Sequence, residues 1–285
     1  MIVDGLADPL QPVVAVALSS TCKGLRTPLR AVLEVLKVRH EKAKALCRKV
    51  GIRKMQFASS CFQLRTKNHL PWERKGLDAN DMATLGMIIA TNGLPMMQAL
   101  CLEENLFGDA GMRALCDGMS RGRPSLVQLD LDENQLGPAS AEALAAALGR
   151  GAMPNLDRLY LTGNPIGKQG VAALAAPLRK LPGLSVLFLR ECGLGDEGVA
   201  SLLKDLGKDD FRALQTLDVE QHNLTDKVCV TLASALNDGA MPKLNHLYAS
   251  DDFGDDAGDA LAQAAARRGM SLGDPPDDSE DDEDL

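Results

Sequence analysis

The sequence predicts an α/β solenoid: a curved parallel β-sheet on the inside, helices on the outside, and an α-helical cap at the N-terminal end. Three observations carry that prediction. An apolar pattern of strand length followed by one of helix length returns at a near-constant interval through most of the chain. Within each copy the helical leucines recur at the same offset from the strand leucines, so the same two faces meet in every unit. The 285 residues hold only two tyrosines, one tryptophan and six phenylalanines, which leaves the core to Leu, Ala, Val and Met and suits many similar layers better than one irregular core.

Residues 1–76 read as a basic helical module. Asp8-Pro9 and Thr27-Pro28 are two signatures of an N-cap followed by a first-turn proline. The first opens a segment carrying Leu10, Val13, Val14, Ala17 and Leu18; the second carries Leu29, Val32, Leu33, Leu36, Ala43, Leu46 and Val50 before Gly51. The module holds fifteen Lys or Arg against five Asp or Glu, and the rest of the chain sixteen against thirty-four, giving a basic head on an acidic body. The stretch LADPLQPVVAVALSSTCKGLRTPL resembles the latter half of an F-box, with Cys22, Lys23 and Arg26 as its Cys-basic ending. That resemblance implies helices that dock a ubiquitin-ligase adaptor; the plain alternative is a helical cap on the solenoid.

Residues 77–96 form an N-terminal half-repeat cap. LDANDMATLGMII places Asp78 as a helix N-cap and Leu77 to staple against Met82. Six repeats occupy residues 97–270. They begin at Met97, Leu126, Leu156, Leu184, Leu214 and Leu244, with intervals of 29, 30, 28, 30 and 30 residues. LVQLDLDENQLGPASAEALAAAL and LDRLYLTGNPIGKQGVAALAAPL show the pattern, L-x-x-L-x-L-x-x-N/C-x-L followed by a helix. On these residues the chain resembles the leucine-rich repeat family, and the interval is similar to its ribonuclease-inhibitor-like class. A short strand and a helix cannot bury their own apolar faces, so each unit must stack on its neighbours. The resemblance assigns the ninth position, Asn105, Asn134, Asn164, Cys192, His222 and Asp252, to a ladder whose side chains bond the backbone as it leaves the strand. Behind it, Leu115, Leu144, Leu174, Leu202 and Leu232 recur, with Met119, Leu148, Leu178, Leu206 and Leu236 four residues later. The sixth copy is degenerate, with Ala249 at a leucine position, and reads as the C-terminal cap.

Residues 271–285 are expected to be a disordered acidic tail, since the last twelve residues hold eight acids and no base. Ser279 sits in that acidic context as a candidate phosphorylation site whose added charge would strengthen a contact with the basic head.

Several function classes find no support. The seven cysteines are odd in number and never spaced C-x-x-C, so reduced buried thiols are expected, without a disulfide framework or zinc knuckle. No apolar run reaches membrane-spanning length, and a cytoplasmic or nuclear protein is expected. Gly193, Gly195 and Gly198 spell G-x-G-x-x-G, yet Gly195 aligns with Gly108, Gly137 and Gly167 and Gly198 with Gly111 and Gly170, so they read as repeat turns and not as a dinucleotide cradle. His40, His69, His222 and His246 have no Cys or carboxylate at ligand spacing. No catalytic residue, cofactor, metal or nucleic acid is expected.

What remains is the concave face. The residues that alternate with the strand leucines point into it. The fifth column holds Asp130, Tyr160, Phe188, Asp218 and Tyr248, after Cys101; the next columns add Glu103, Asp132, Glu133, Arg190, Glu191 and Glu220. Aromatics among carboxylates suit a protein partner with a basic or mixed surface. The expected function is therefore non-catalytic protein binding. Two family resemblances supply alternatives: a substrate receptor of a cullin-RING ubiquitin ligase, from the F-box-like head, and a regulator of a small GTPase similar to the Ran GTPase-activating proteins, from repeats followed by an acidic tail.

Overall fold

The computed structural model describes residues 26–51, 62–207, 209–220, 224–249 and 253–273. Every strand of the repeat is three residues long, because only one leucine per strand faces the core squarely before the chain must turn outward. The strands are β1 His69–Pro71, β2 Ala99–Cys101, β3 Gln128–Asp130, β4 Arg158–Tyr160, β5 Val186–Phe188, β6 Thr216–Asp218 and β7 His246–Tyr248, followed by the two-residue β8 Ser271–Leu272. They form one parallel sheet in sequence order, β1 to β8. The register is constant: Leu70, Leu100, Leu129, Leu159, Leu187, Leu217 and Leu247 pair in succession, and all seven are buried.

Helix α1 spans Arg26–Lys49, and α2 Ala79–Ala90, α3 Gly108–Gly122, α4 Pro138–Gly149, α5 Gly167–Arg179, α6 Gly195–Leu203, α7 Asp226–Asn237 and α8 Asp255–Arg268 lie outside the sheet in chain order. Neighbouring helices need about 8–10 Å and neighbouring strands about 4.8 Å, so the stack curves toward the strands and makes their outer face concave. The core between the layers is continuous from Ala43 in α1 to Met270. None of the described helices is long and apolar enough to cross a membrane.

Helix α1 buries Leu36, Ala43 and Leu46, and Val50 just beyond it, on the face its periodicity predicts, and Cys47 joins them. It begins at Arg26, so Thr27 lies inside its first turn and does not precede it. An ion pair from Lys49 to Asp81 ties its last turn to α2. Asp78 caps α2 through the N–H groups of Asn80 and Asp81, and Asp81 returns a bond to the cap residue, completing a capping box.

The sheet starts and ends beyond the limits that the leucine pattern gives. β1 lies ahead of residue 77, where Lys67 and Trp72 stand at two leucine positions and conceal the repeat; Trp72 is nevertheless buried. At the other end α8 stops at Gly269, left-handed at φ 65°, and the chain returns to pair β8 with β7. The leucine period places Leu206 on a helix, but α6 ends at Leu203 and Leu206 packs against the core from the following turn. The Arg179 guanidinium ends α6 early by donating to the carbonyls of Ser201 and Leu202, at 2.7 and 2.9 Å. The F-box-like segment up to Leu25, His222, Asp252 and Ser279 lie outside the described residues.

Candidate interaction face on an amide ladder

Each strand exits into a turn whose backbone groups are buried, and the ninth-position side chain answers them. Asn134 Nδ2 donates to the carbonyls of Leu102, Leu131 and Asp132 at 2.8, 3.0 and 2.8 Å, and its Oδ1 accepts from Asn105 N at 3.1 Å. Asn164 Oδ1 accepts from Asn134 N and Leu136 N, and Asn105 Oδ1 from Lys75 N and Leu77 N. Each side chain therefore bridges two repeats. Cys192 substitutes with its thiol, which lies 3.0 Å from Leu161 O and 3.5 Å from Arg190 O as a donor, and burial pushes that thiol up to about 12.

The ladder aims the turn residues. Glu104, Glu133, Gly163 and Glu191 occupy equivalent places and all have positive φ, so these glutamates stand on left-handed backbone that glycine adopts without strain. The glycines of G-x-G-x-x-G are spacers of the same kind. Gly193 and Gly195 have φ of 64° and 59°, and a methyl at Gly198 would press on Leu194.

On the concave surface the carboxylates crowd. Asp132 is half-buried; burial, then the Asp130 carboxylate, push it up to about 9, although its Oδ1 accepts a 2.6 Å bond from Thr162 N. Burial also raises Glu103, and Glu104, Glu133 and Glu73 add to the rise against the pull of Arg74. Farther along, Arg190 Nη1 lies 3.1 Å from Glu220 Oε2, and Asp218 Oδ1 accepts from Glu220 N.

The aromatic residues interlock edge to face. Tyr160 and Phe188 have centroids 5.2 Å apart, and Phe188 and Tyr248 meet at 6.5 Å across the strand between them. That intervening strand carries Asp218, which is 1% exposed. The sequence allows two readings of these aromatics, exposed anchors or rings that pack on each other. Phe188 and Tyr248 retain only 9% and 5% exposure and act as the floor of the face, while Tyr160, Asp130, Asp132, Glu133, Arg190 and Glu191 stay open to solvent in whole or part.

The structure also brings together three residues that chain spacing separates. His69 Nε2 lies 3.3 Å from Cys101 Sγ, and the ligand atoms of His69, Glu73 and Cys101 are all within 4.8 Å of one another. His69 and Cys101 sit on adjacent strands in parallel register, 32 positions apart in the chain. Only the pairing of β1, the strand concealed in the sequence, reveals the cluster.

The leucine-rich repeat family model matches residues 124–145 and 152–175, which cover β3 with most of α4 and β4 with most of α5. No curated protein matches the chain. Among solved structures the chain is similar to one in the complex of Rad7 and Elc1 from yeast, with a TM-score of 0.49 and 19% identity over 73% of this chain. The match spans 55% of that other chain, about half its length.

Proposed function

We propose that this leucine-rich repeat protein is a non-catalytic interaction module whose concave face takes a protein partner with a basic or mixed surface. The observation that supports this reading is the crowding of carboxylates at Glu103, Asp130, Asp132 and Glu133, where burial first, and neighbouring carboxylates after it, push Glu103 and Asp132 up from their ordinary values. Like charges held that close gain most from an incoming guanidinium or ammonium group, which lets both acids ionise. Tyr160 supplies contact area beside them, and Arg190 is the cation that adds mixed character.

Affinity capture from a native extract tests the reading. The triple variant Asp130→Lys, Glu133→Lys, Glu191→Lys should lose the partner that the native chain retains, and raising the salt should weaken capture by the native chain as well. Capture that survives both changes would place the partner elsewhere. Phe188 and Tyr248 are poor choices for such a test, since truncating the floor of the face also disturbs the sheet.

The adaptor-docking reading belongs to the other end of the molecule. What favours it is a groove of about 460 Å³ between α1 and α2, where Val35 and Val38 are 51% and 58% exposed. Co-purification with a cullin-ligase adaptor that disappears in Val35→Glu, Val38→Glu would support it; retention of the adaptor in that variant would remove it.

A further inference from the structure

We propose that His69, Glu73 and Cys101 form a binding site for a divalent metal ion of the zinc class, at the N-terminal end of the concave face. The three ligand atoms are an imidazole nitrogen, a carboxylate oxygen and a thiol sulfur, a set that suits zinc and not calcium or magnesium, which take oxygen donors. Zinc bonds of about 2.3 Å to sulfur and 2.0–2.1 Å to nitrogen, at a tetrahedral angle, set the two atoms roughly 3.5 Å apart. The observed separation of His69 Nε2 and Cys101 Sγ is 3.3 Å. Glu73 is half-buried beside them, and a side-chain rotation closes what remains of the 4.8 Å spread.

The scaffold is rigid where rigidity matters. His69 and Cys101 lie on paired strands, and Trp72 N donates to Cys101 O at 2.9 Å, so the segment leading to Glu73 is fixed to the strand that carries the cysteine. The Gln128 amide nitrogen lies 4.0 Å from Cys101 Sγ, placed to donate to the sulfur once it becomes a thiolate. Binding forms a metal–sulfur bond and releases the thiol proton to solvent. Three protein ligands leave a fourth position, for water or for a donor from whatever occupies the face.

Cobalt(II) titration of the full chain, reduced and stripped with chelator, tests the site. About one cobalt per chain should bind, with a thiolate-to-cobalt charge-transfer band and the intense visible bands of four-coordinate geometry, and zinc should displace it. Cys101→Ser should abolish the charge-transfer band, and Glu73→Gln should weaken binding at least about tenfold. Cys229→Ser, whose hydroxyl keeps the bond to Ala257 O made by the native thiol, should leave the band unchanged. Circular dichroism confirms that each variant is folded, and Glu73 lies far enough toward the surface for its variant to be decisive if Cys101→Ser is unstable. Absence of the band in the native chain, its persistence in Cys101→Ser, or equal affinity in Glu73→Gln would each overturn the site. None of these results depends on a protein partner.

Discussion

Asp132 shows how a single side chain on the concave face carries a cost that depends on pH. Its folded-state value is raised to about 9, while an unfolded aspartate titrates near 4. A carboxyl raised in this way contributes stability that is complete below about pH 4 and is lost as the pH rises toward the folded-state value. Asp132→Asn keeps an oxygen to accept from Thr162 N and needs no proton. It should therefore raise the melting temperature at pH 8 by about 2–4 °C, corresponding to roughly 1 kcal/mol, with the gain shrinking toward pH 4. Scanning calorimetry across that range checks the sign. The ladder residue Asn134 is the opposite case, a polar group whose bonds are all made inside. Asn134→Ala strips partners from buried carbonyls and one buried N–H and should cost about 2–4 kcal/mol in denaturant unfolding.

Among the elements, α2 and α3 pack most closely, and the reason is a row of small residues. Gly86 on α2 faces Ala114 and Gly118 on α3, and Gly122 faces Ile89; a methyl added at Gly118 would overlap the Gly86 backbone. Gly118→Ala should therefore destabilise by about 1–3 kcal/mol despite its better helix propensity. Gly149, the last residue of α4, has nothing within 4 Å of an added Cβ, and Gly149→Ala should gain about 0.5–1 kcal/mol. Opposite signs for the same substitution in neighbouring helices separate packing from propensity, and urea midpoints suffice to measure both. Helix N-termini show a second device. Asp109 accepts from Gly137 N and Ser140 N, Asp196 from Thr225 N, and Asp226 from Gly254 N, so an acid in one repeat caps the helix of the next.

Over the whole molecule, charge and concavity work together. The body beyond residue 76 holds the acidic surplus, and its curvature gathers several of those acids on one face, the field that would steer the proposed cationic partner. The salt sensitivity expected of capture belongs to this scale, because screening acts on the summed field more than on any single pair. The proposed metal site and the acids proposed to hold the partner are neighbours at the first strands of that face: His69 and Cys101 lie on β1 and β2 with Glu73 just beyond β1, and Glu103, Asp130, Asp132 and Glu133 lie on and after β2 and β3.

The repeat and its solenoid were legible from residue order alone, because a period of 28–30 residues with leucines at fixed offsets leaves few other ways to bury an apolar strand and an apolar helix. Asn105, Asn134, Asn164 and Cys192 stand at one offset in that period, and their ladder role came from the resemblance to leucine-rich repeats. Chain order did not give the first strand, where Trp72 does the work of leucine, nor the last, which has only two residues. It did not give the early end of α6, which is set by an arginine 22 residues upstream of one of the carbonyls it caps. Nor did it give the burial of Phe188, Tyr248 and Asp218, or the meeting of His69 with Cys101. Periodicity reports which face a side chain takes. How deeply it sinks and what it touches on the next strand depend on the neighbours that the stack places beside it, and those are decided only when the layers close on one another.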